Sequence, residues 1–231
     1  MPSKYSRRRF LQTSLSGVVA ASWAPPRGAG EPMILDLHQH ALYGGLSHEQ
    51  LVAHQKFHGV TTTVLLPGEG WMLDRLGGNR SCRELQSQHP DRFVRFACAD
   101  AAESRAVDVL WGNIERGAVG IGEMKFHVAV DSPEMHRVYS LAEERGVPVL
   151  IHFQYETYNT GLRRFSRILE HYPTVNFIGH AQTWWGNISA DLNPKVMYPT
   201  GKVKPGGLTD RLLSDYPNLY GDLSAGSGLN S

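Results

Sequence analysis

The segment Leu35-Asp36-Leu37-His38-Gln39-His40 closes an apolar run with an aspartate and two histidines at alternate positions. Side chains alternate across a strand, so Asp36, His38 and His40 are expected on one face. Two neutral imidazoles aimed at one point suit zinc and related divalent metals, and a nearby carboxylate fixes the tautomer of a ligating ring. A single His-x-His is a weak sign; its place after an apolar run strengthens it.

Later segments repeat the pattern. Val149-Leu150-Ile151-His152 and Phe177-Ile178-Gly179-His180 each finish an apolar run with histidine, 28 positions apart. Polar groups buried without partners are costly, so packing is a poor explanation for two such histidines. Gly122-Glu123-Met124-Lys125-Phe126 puts Glu123 and Lys125 on the inward face, with Met124 and Phe126 towards the helices. Two readings stay open for that pair: chemistry, with Glu123 bridging metals or Lys125 orienting a substrate carboxylate, or a Glu-Lys pair satisfying itself inside the sheet. His58, His89 and His171 fall near helix C-termini, where a cation is favoured by the dipole, and read as structural. His48, His54 and His136 read as helix-surface residues, and His127 shares the parity of Glu123 at the rim.

The elements that must carry these residues alternate. Apolar runs at 33–37, 61–66, 93–97, 119–126, 147–152, 175–180 and 219–223 predict seven strands, each reached through glycine or proline. Between them, Ser47 with Gln50 opens a helix that Gly59 follows, and Ser132-Pro133 opens another that Gly146 follows. Residues 102–116, 161–172 and 208–216 have similar helical spacing, and 82–89 is the weakest of the helices. Strands alternating with helices imply βα units and a parallel sheet.

Composition bounds the rest. Of 231 residues, 41% are hydrophobic, in the range of one globular domain. Lys4, Arg7, Arg8, Arg9 and Arg27 fall in the first thirty positions, leaving 18 basic against 22 acidic residues in the body, a balance of −4. That argues against nucleic acid as a general partner. No eighteen-residue apolar run exists, so no stable membrane span is expected. Cys82 and Cys98 allow at most one disulfide. Ser6-Arg7-Arg8-Arg9-Phe10-Leu11 ahead of a modestly apolar stretch resembles a twin-arginine signal, implying export of the folded chain to the periplasm or beyond by the twin-arginine machinery. Residues 1–30 therefore read as signal and linker, and 31–231 as the folded body.

Together, 35–40, His89-Pro90-Asp91-Arg92-Phe93, 149–152, 177–180 and Asn218-Leu219-Tyr220-Gly221-Asp222-Leu223-Ser224 resemble the amidohydrolase superfamily, most closely its amidohydrolase-related branch of decarboxylases and lactone hydrolases. The resemblance implies a (β/α)8 TIM-type barrel with its site at the C-terminal mouth. It also implies His38, His40 and His152 as ligands of one or two divalent ions, His180 on the metal or the reacting group, and Glu123 where some members place a ligand. Members carry an aspartate in a Gly-x-Asp-x-Pro context on the eighth strand, and no such segment follows Asp222. The expectation is an incomplete barrel of about seven βα units, C-terminally truncated, in which Asp222 is the available substitute for the missing acid.

The leading functional reading is a metal-dependent hydrolase attacking a C–N or C–O bond of a small molecule, with Tyr155, Tyr158, Trp184 and Trp185 either walling the substrate or packing on one another. Two alternatives remain. Ile121-Gly122-Glu123 resembles the fourth strand of magnesium-dependent deoxyribonucleases, and a degenerate barrel would suit an exported, non-catalytic binding protein.

Overall fold

The computed structural model describes residues 33–224, so residues 1–30, read as signal and linker, lie outside the described residues. Among the described residues seven strands run in order: β1 (Leu35–Gln39), β2 (Thr62–Leu65), β3 (Phe93–Arg95), β4 (Ile121–Met124), β5 (Val149–His152), β6 (Phe177–His180) and β7 (Leu219–Gly221). The helices are α1 (His48–Phe57), α2 (Leu73–Leu76), α3 (Asn79–Gln88), α4 (Ala106–Glu115), α5 (Pro133–Arg145), α6 (Phe165–His171), α7 (Gln182–Gly186) and α8 (Leu208–Asp215). All strand pairings are parallel, in the orders β1-β2-β3 and β4-β5-β6-β7, and a bridge from Ala97 to Ile121 joins the two sheets.

Two layers of apolar burial hold the strands. Val64, Leu66, Val94, Phe96, Leu150 and Ile178 meet inside, between the sheets. Residues of opposite parity face outward: Leu65 and Phe93 pack with Leu51, Val52, Cys82 and Leu85 of α1 and α3, while Ile121, Val149, Ile151 and Phe177 pack with α4, α5 and α6. Each fully buried Leu, Ile or Phe contributes about 1.5–3 kcal/mol by leaving water. Local signals act where the sequence places them. Ser47 and Gln50 form a capping box on α1, Ser132 caps α5 with Pro133 at its first turn, and Gly146 ends α5 in the left-handed region.

The helix at 82–89 forms as α3, because Cys82 and Leu85 bury one face of an otherwise polar segment. Helices α2 and α7, of 4 and 5 residues, are too short to show a period and escape a sequence reading. β1 begins two residues later than expected, since Met33 and Ile34 remain exposed. Strict alternation also fails in β1. Asp36 pairs with Thr63 but Gln39 with Leu65, so three residues oppose two, a β-bulge. Leu35 and Leu37 pack on the inner cluster, and beyond the bulge His38 also comes inside. Asp36 is turned away, accepting from Gln55 Nε2 of α1 at 2.9 Å, so the expectation that it shares a face with His38 and His40 is corrected. Cys82 and Cys98 are both free and buried, and burial pushes the Cys82 thiol up to about 12. No helix of the described residues is long and apolar enough to cross a membrane.

Candidate metal centre

Five side chains converge at the C-terminal ends of the strands: His38 and His40 from β1 and its end, Glu123 from β4, His152 from β5 and His180 from β6. The bulge in β1 delivers the first two. A second bulge delivers Glu123, since Ile121 opposes Val149 and Met124 opposes Ile151, again three residues against two. Gly122 absorbs it with φ of 142°, and a Cβ there would lie 2.8 Å from the Leu150 carbonyl oxygen, so only glycine fits. His152 and His180 are adjacent partners in the β5–β6 register.

His38 Nε2 and His40 Nε2 each stand 3.7 Å from Glu123 Oε2, and His180 Nε2 stands 3.6 Å from Oε1. These separations are too long for hydrogen bonds and suit donor atoms about 2.0–2.2 Å from one shared ion. Ligand atoms of His38, Glu123 and His180 all lie within 4.8 Å of one another. The far side of each ring faces an oxygen. His38 Nδ1 donates to Asp222 Oδ2 at 2.6 Å, and His40 Nδ1 donates to the Leu66 carbonyl at 2.8 Å. His180 Nδ1 is 3.1 Å from Asp222 Oδ2 but is not directed along a hydrogen bond, and it remains a buried nitrogen without one. Holding the proton on Nδ1 leaves the Nε2 lone pair for a metal. His152 is placed differently: its Nδ1 is 2.5 Å from Glu123 Oε1 and its Nε2 3.3 Å from Gln154 Oε1.

Burial and charge oppose each other here. Burial alone would raise the Glu123 carboxyl, but the charge and hydrogen bond of His152, then His38 and His180, hold it well below the usual carboxylate range. Asp222 behaves likewise, its burial outweighed by the neighbouring imidazoles of His180 and His38, the latter hydrogen-bonded to it. Burial depresses His40 and His152. For His38 burial is overcome by the Asp222 hydrogen bond and the Glu123 charge, so its basicity rises. Two ionised carboxylates facing four imidazoles form a donor set that fits a divalent cation.

Asp222, expected as a substitute catalytic acid, has its oxygens occupied by His38, by the Ser224 backbone N–H at 2.8 Å and by the Ser224 hydroxyl at 3.0 Å. It supports rings. Trp184 and Trp185 pack on each other and into the outer core, Trp184 stacking on Phe153. Trp185 Nε1 donates to the Asp222 carbonyl at 2.7 Å, so these tryptophans brace the centre and do not wall a substrate. Tyr158 does reach the centre, its ring 5.8 Å from that of His152 and 4.6 Å from that of His127. Trp71, which no spacing singled out, stands beside Lys125 at the same rim. A cleft of about 520 Å³ lies between the loops that follow β5 and β6, lined by Gln154 and Tyr155 and by none of the five cluster residues; Gln154 Oε1 is 3.3 Å from His152 Nε2.

No family model and no curated protein matches the sequence. Among solved structures, an uncharacterised TIM-barrel protein from Bordetella bronchiseptica superposes with a TM-score of 0.58 at 15% identity, covering 82% of this chain and 74% of its own. The fold is that of an incomplete TIM barrel, with about seven βα units among the described residues. Two further solved structures are similar. One is named as an amidohydrolase, from Staphylococcus aureus, with a TM-score of 0.51 at 15% identity over 82% of this chain and 79% of its own. The other is a 2,6-dihydroxybenzoate decarboxylase complexed with 2,6-dihydroxybenzoate, with a TM-score of 0.50 at 14% identity over 83% and 80%. At such identities the likeness is one of fold, and function rests on the site.

Proposed function

We propose that this chain is a metal-dependent enzyme of the amidohydrolase superfamily, hydrolysing a C–N or C–O bond of a small molecule. The carrying observation is that His38, His40 and His180 turn Nε2 towards one carboxylate, Glu123, while an oxygen stands behind each ring. These four residues would hold the ion. A divalent ion such as zinc supplies Lewis-acid polarisation and brings the pKa of water towards ~7. Asp222 keeps the His38 imidazole in the tautomer that presents Nε2 and places a negative charge 3.1 Å from His180 Nδ1. Glu123, ionised and bonded to His152, contributes negative charge, and this pair is assigned the proton of the attacking water.

Decarboxylation is the second reading, favoured by one observation: Asp222 is bound to His38 and Ser224, so no carboxylate of the cluster outside the Glu123–His152 pair is free for water. The deciding experiment measures bound metal by elemental analysis, then assays the zinc- and manganese-loaded protein against ester, lactone and anilide panels and, separately, for CO2 release from aromatic acids. Absence of stoichiometric metal would overturn both readings. Metal without turnover on either panel would favour a non-catalytic binding protein.

We further propose that residues 1–30 direct export by the twin-arginine route to the periplasm. Changing Arg7 and Arg8 together to lysine should leave precursor in the cytoplasm, and normal export of that variant would overturn the proposal.

A further inference from the structure

The β4–β5 register shifts between the Ile121–Val149 and Met124–Ile151 pairs, and Glu123 lies inside that interval. A bulge leaves a residue without its ladder partner, so regular pairing does not fix where Glu123 stands. The Glu-Lys pair considered from the sequence does not fix it either. Glu123 is taken up by histidines, and no ion pair among the described residues includes Lys125.

Asn159 stands at this point. Its Nδ2 donates to the Met124 carbonyl at 2.6 Å and to the His152 carbonyl at 2.9 Å, the last residues of β4 and β5. Both partners are acceptors, so the amide has a single orientation. The loop after β5 folds to bring it there: Gln154 and Tyr158 exchange backbone hydrogen bonds of 2.9 and 3.0 Å, and Asn159 and Thr160 then donate to the Phe126 and Val128 carbonyls of the loop after β4. Asn159 is 1% exposed and holds φ of 42°, a left-handed conformation that asparagine tolerates better than most residues. Its Oδ1 is buried without a hydrogen-bond partner, a cost that the two strand-end hydrogen bonds offset. Backbone bonds alone close the loop, and the side chain instead holds the carbonyl next to Glu123 and that of His152 itself.

A second buried amide gives the contrast. Asn218 donates from Nδ2 to the Leu169, Tyr172 and Val175 carbonyls, each at 3.2 Å, ahead of β6 and β7 and so at the strand ends away from the cluster. In a barrel that N-terminal face serves stability, while the C-terminal face carries the chemistry. We infer that Asn159 is a positioning residue for the Glu123–His152 pair: by joining the ends of β4 and β5 immediately past the bulge, it fixes the Glu123 carboxylate relative to the Nε2 atoms of His38, His40 and His180. This rests on the metal-enzyme reading above and adds a residue outside the donor set on which the geometry of the ion depends. Asn159 acts through two backbone carbonyls and not on the ion itself.

The test compares wild type with Asn159→Gly, Asn159→Ser and, as a control, Asn218→Ala, each metal-exchanged with cobalt(II). Visible absorption reports the coordination geometry, competition with a chelator reads the affinity, and melting temperature is measured alongside. Glycine adopts the left-handed φ freely and removes only the amide, whereas serine keeps one short donor. Asn159→Gly should bind cobalt about 10–100-fold more weakly than wild type, with an altered visible spectrum, and Asn159→Ser should fall between the two. Should Asn159→Gly fail to fold, Asn159→Ser decides. Asn218→Ala should lower the melting temperature and leave cobalt affinity and spectrum as in wild type. Unchanged affinity and spectrum in the folded Asn159 variants would overturn the inference, and so would an equal effect in Asn218→Ala, which would mark general loosening. Wild type that takes up no cobalt would instead sink the functional reading beneath it, and the two failures are read on different proteins.

Discussion

His38 Nδ1 lies 2.6 Å from Asp222 Oδ2, a contact between the first strand and the residue that follows the seventh, 184 positions apart. No backbone pairing joins β1 to β7 among the described residues, so this buried link connects two strands that the sheets do not. Its partners are 6% and 4% exposed, and charge-assisted hydrogen bonds in such places are strong and costly to leave half-made.

Asp222→Asn should therefore weaken metal binding about 10–100-fold while leaving secondary structure intact. The amide keeps the size of the carboxylate but loses the charge that favours Nδ1–H on His38 and faces His180. Competition with a chromogenic chelator reads the affinity and circular dichroism reads the fold. Equal affinity in mutant and wild type would show that the pair only braces the barrel.

Metal retention should fall on acidification. Ligating imidazoles must be neutral, so protons compete with the ion as pH drops through the histidine range. His38, whose basicity is raised by Asp222 and Glu123, should compete earliest, while His40 and His152 resist because burial already disfavours their charged forms. Dialysis across pH 8 to 5 with elemental analysis should show loss below about pH 6.5. Release independent of pH would place the ion on carboxylates alone.

Arg164 clamps Asp131 through two hydrogen bonds, of 2.6 and 2.8 Å, tying the loop after β4 to the loop after β5. That hydrogen bonding lowers the Asp131 pKa in the folded chain, so its stabilisation is present above the unfolded value near 3.9 and fades as pH falls through the folded one. The pair is partly solvated, so Asp131→Asn should cost only about 0.5–1 kcal/mol at pH 7, and less as pH falls from 4 to 3. Melting temperatures of the two proteins across that range give the comparison. A gap that widens on acidification would contradict the assignment.

Gly179→Ala places a Cβ 2.5 Å from the Trp184 ring, one residue before His180. Overpacking here should cost about 1–3 kcal/mol and displace Trp184 from Phe153. Denaturant unfolding and near-ultraviolet circular dichroism report both effects. An unchanged tryptophan signal with full stability would mean that the ring yields freely.

The sequence by itself determined the alternation of strands and helices, because apolar runs, capping serines and terminal glycines act over a few neighbours and impose their periods locally. It likewise placed His38, His40, Glu123, His152 and His180 at the ends of inward-facing runs, since polar residues closing apolar strands have few places to go in a parallel sheet. Tertiary structure decided what alternation could not. The bulges in β1 and β4 arise from pairing with β2 and β5; they send Asp36 to Gln55 and turn His38 and Glu123 inwards. The choice of Asp222 as the support of His38 and His180, the packing of Trp184 and Trp185 into the core, and the arrival of Trp71 beside Lys125 join residues far apart in the chain. Such contacts depend on register and closure around the barrel, which no local window contains.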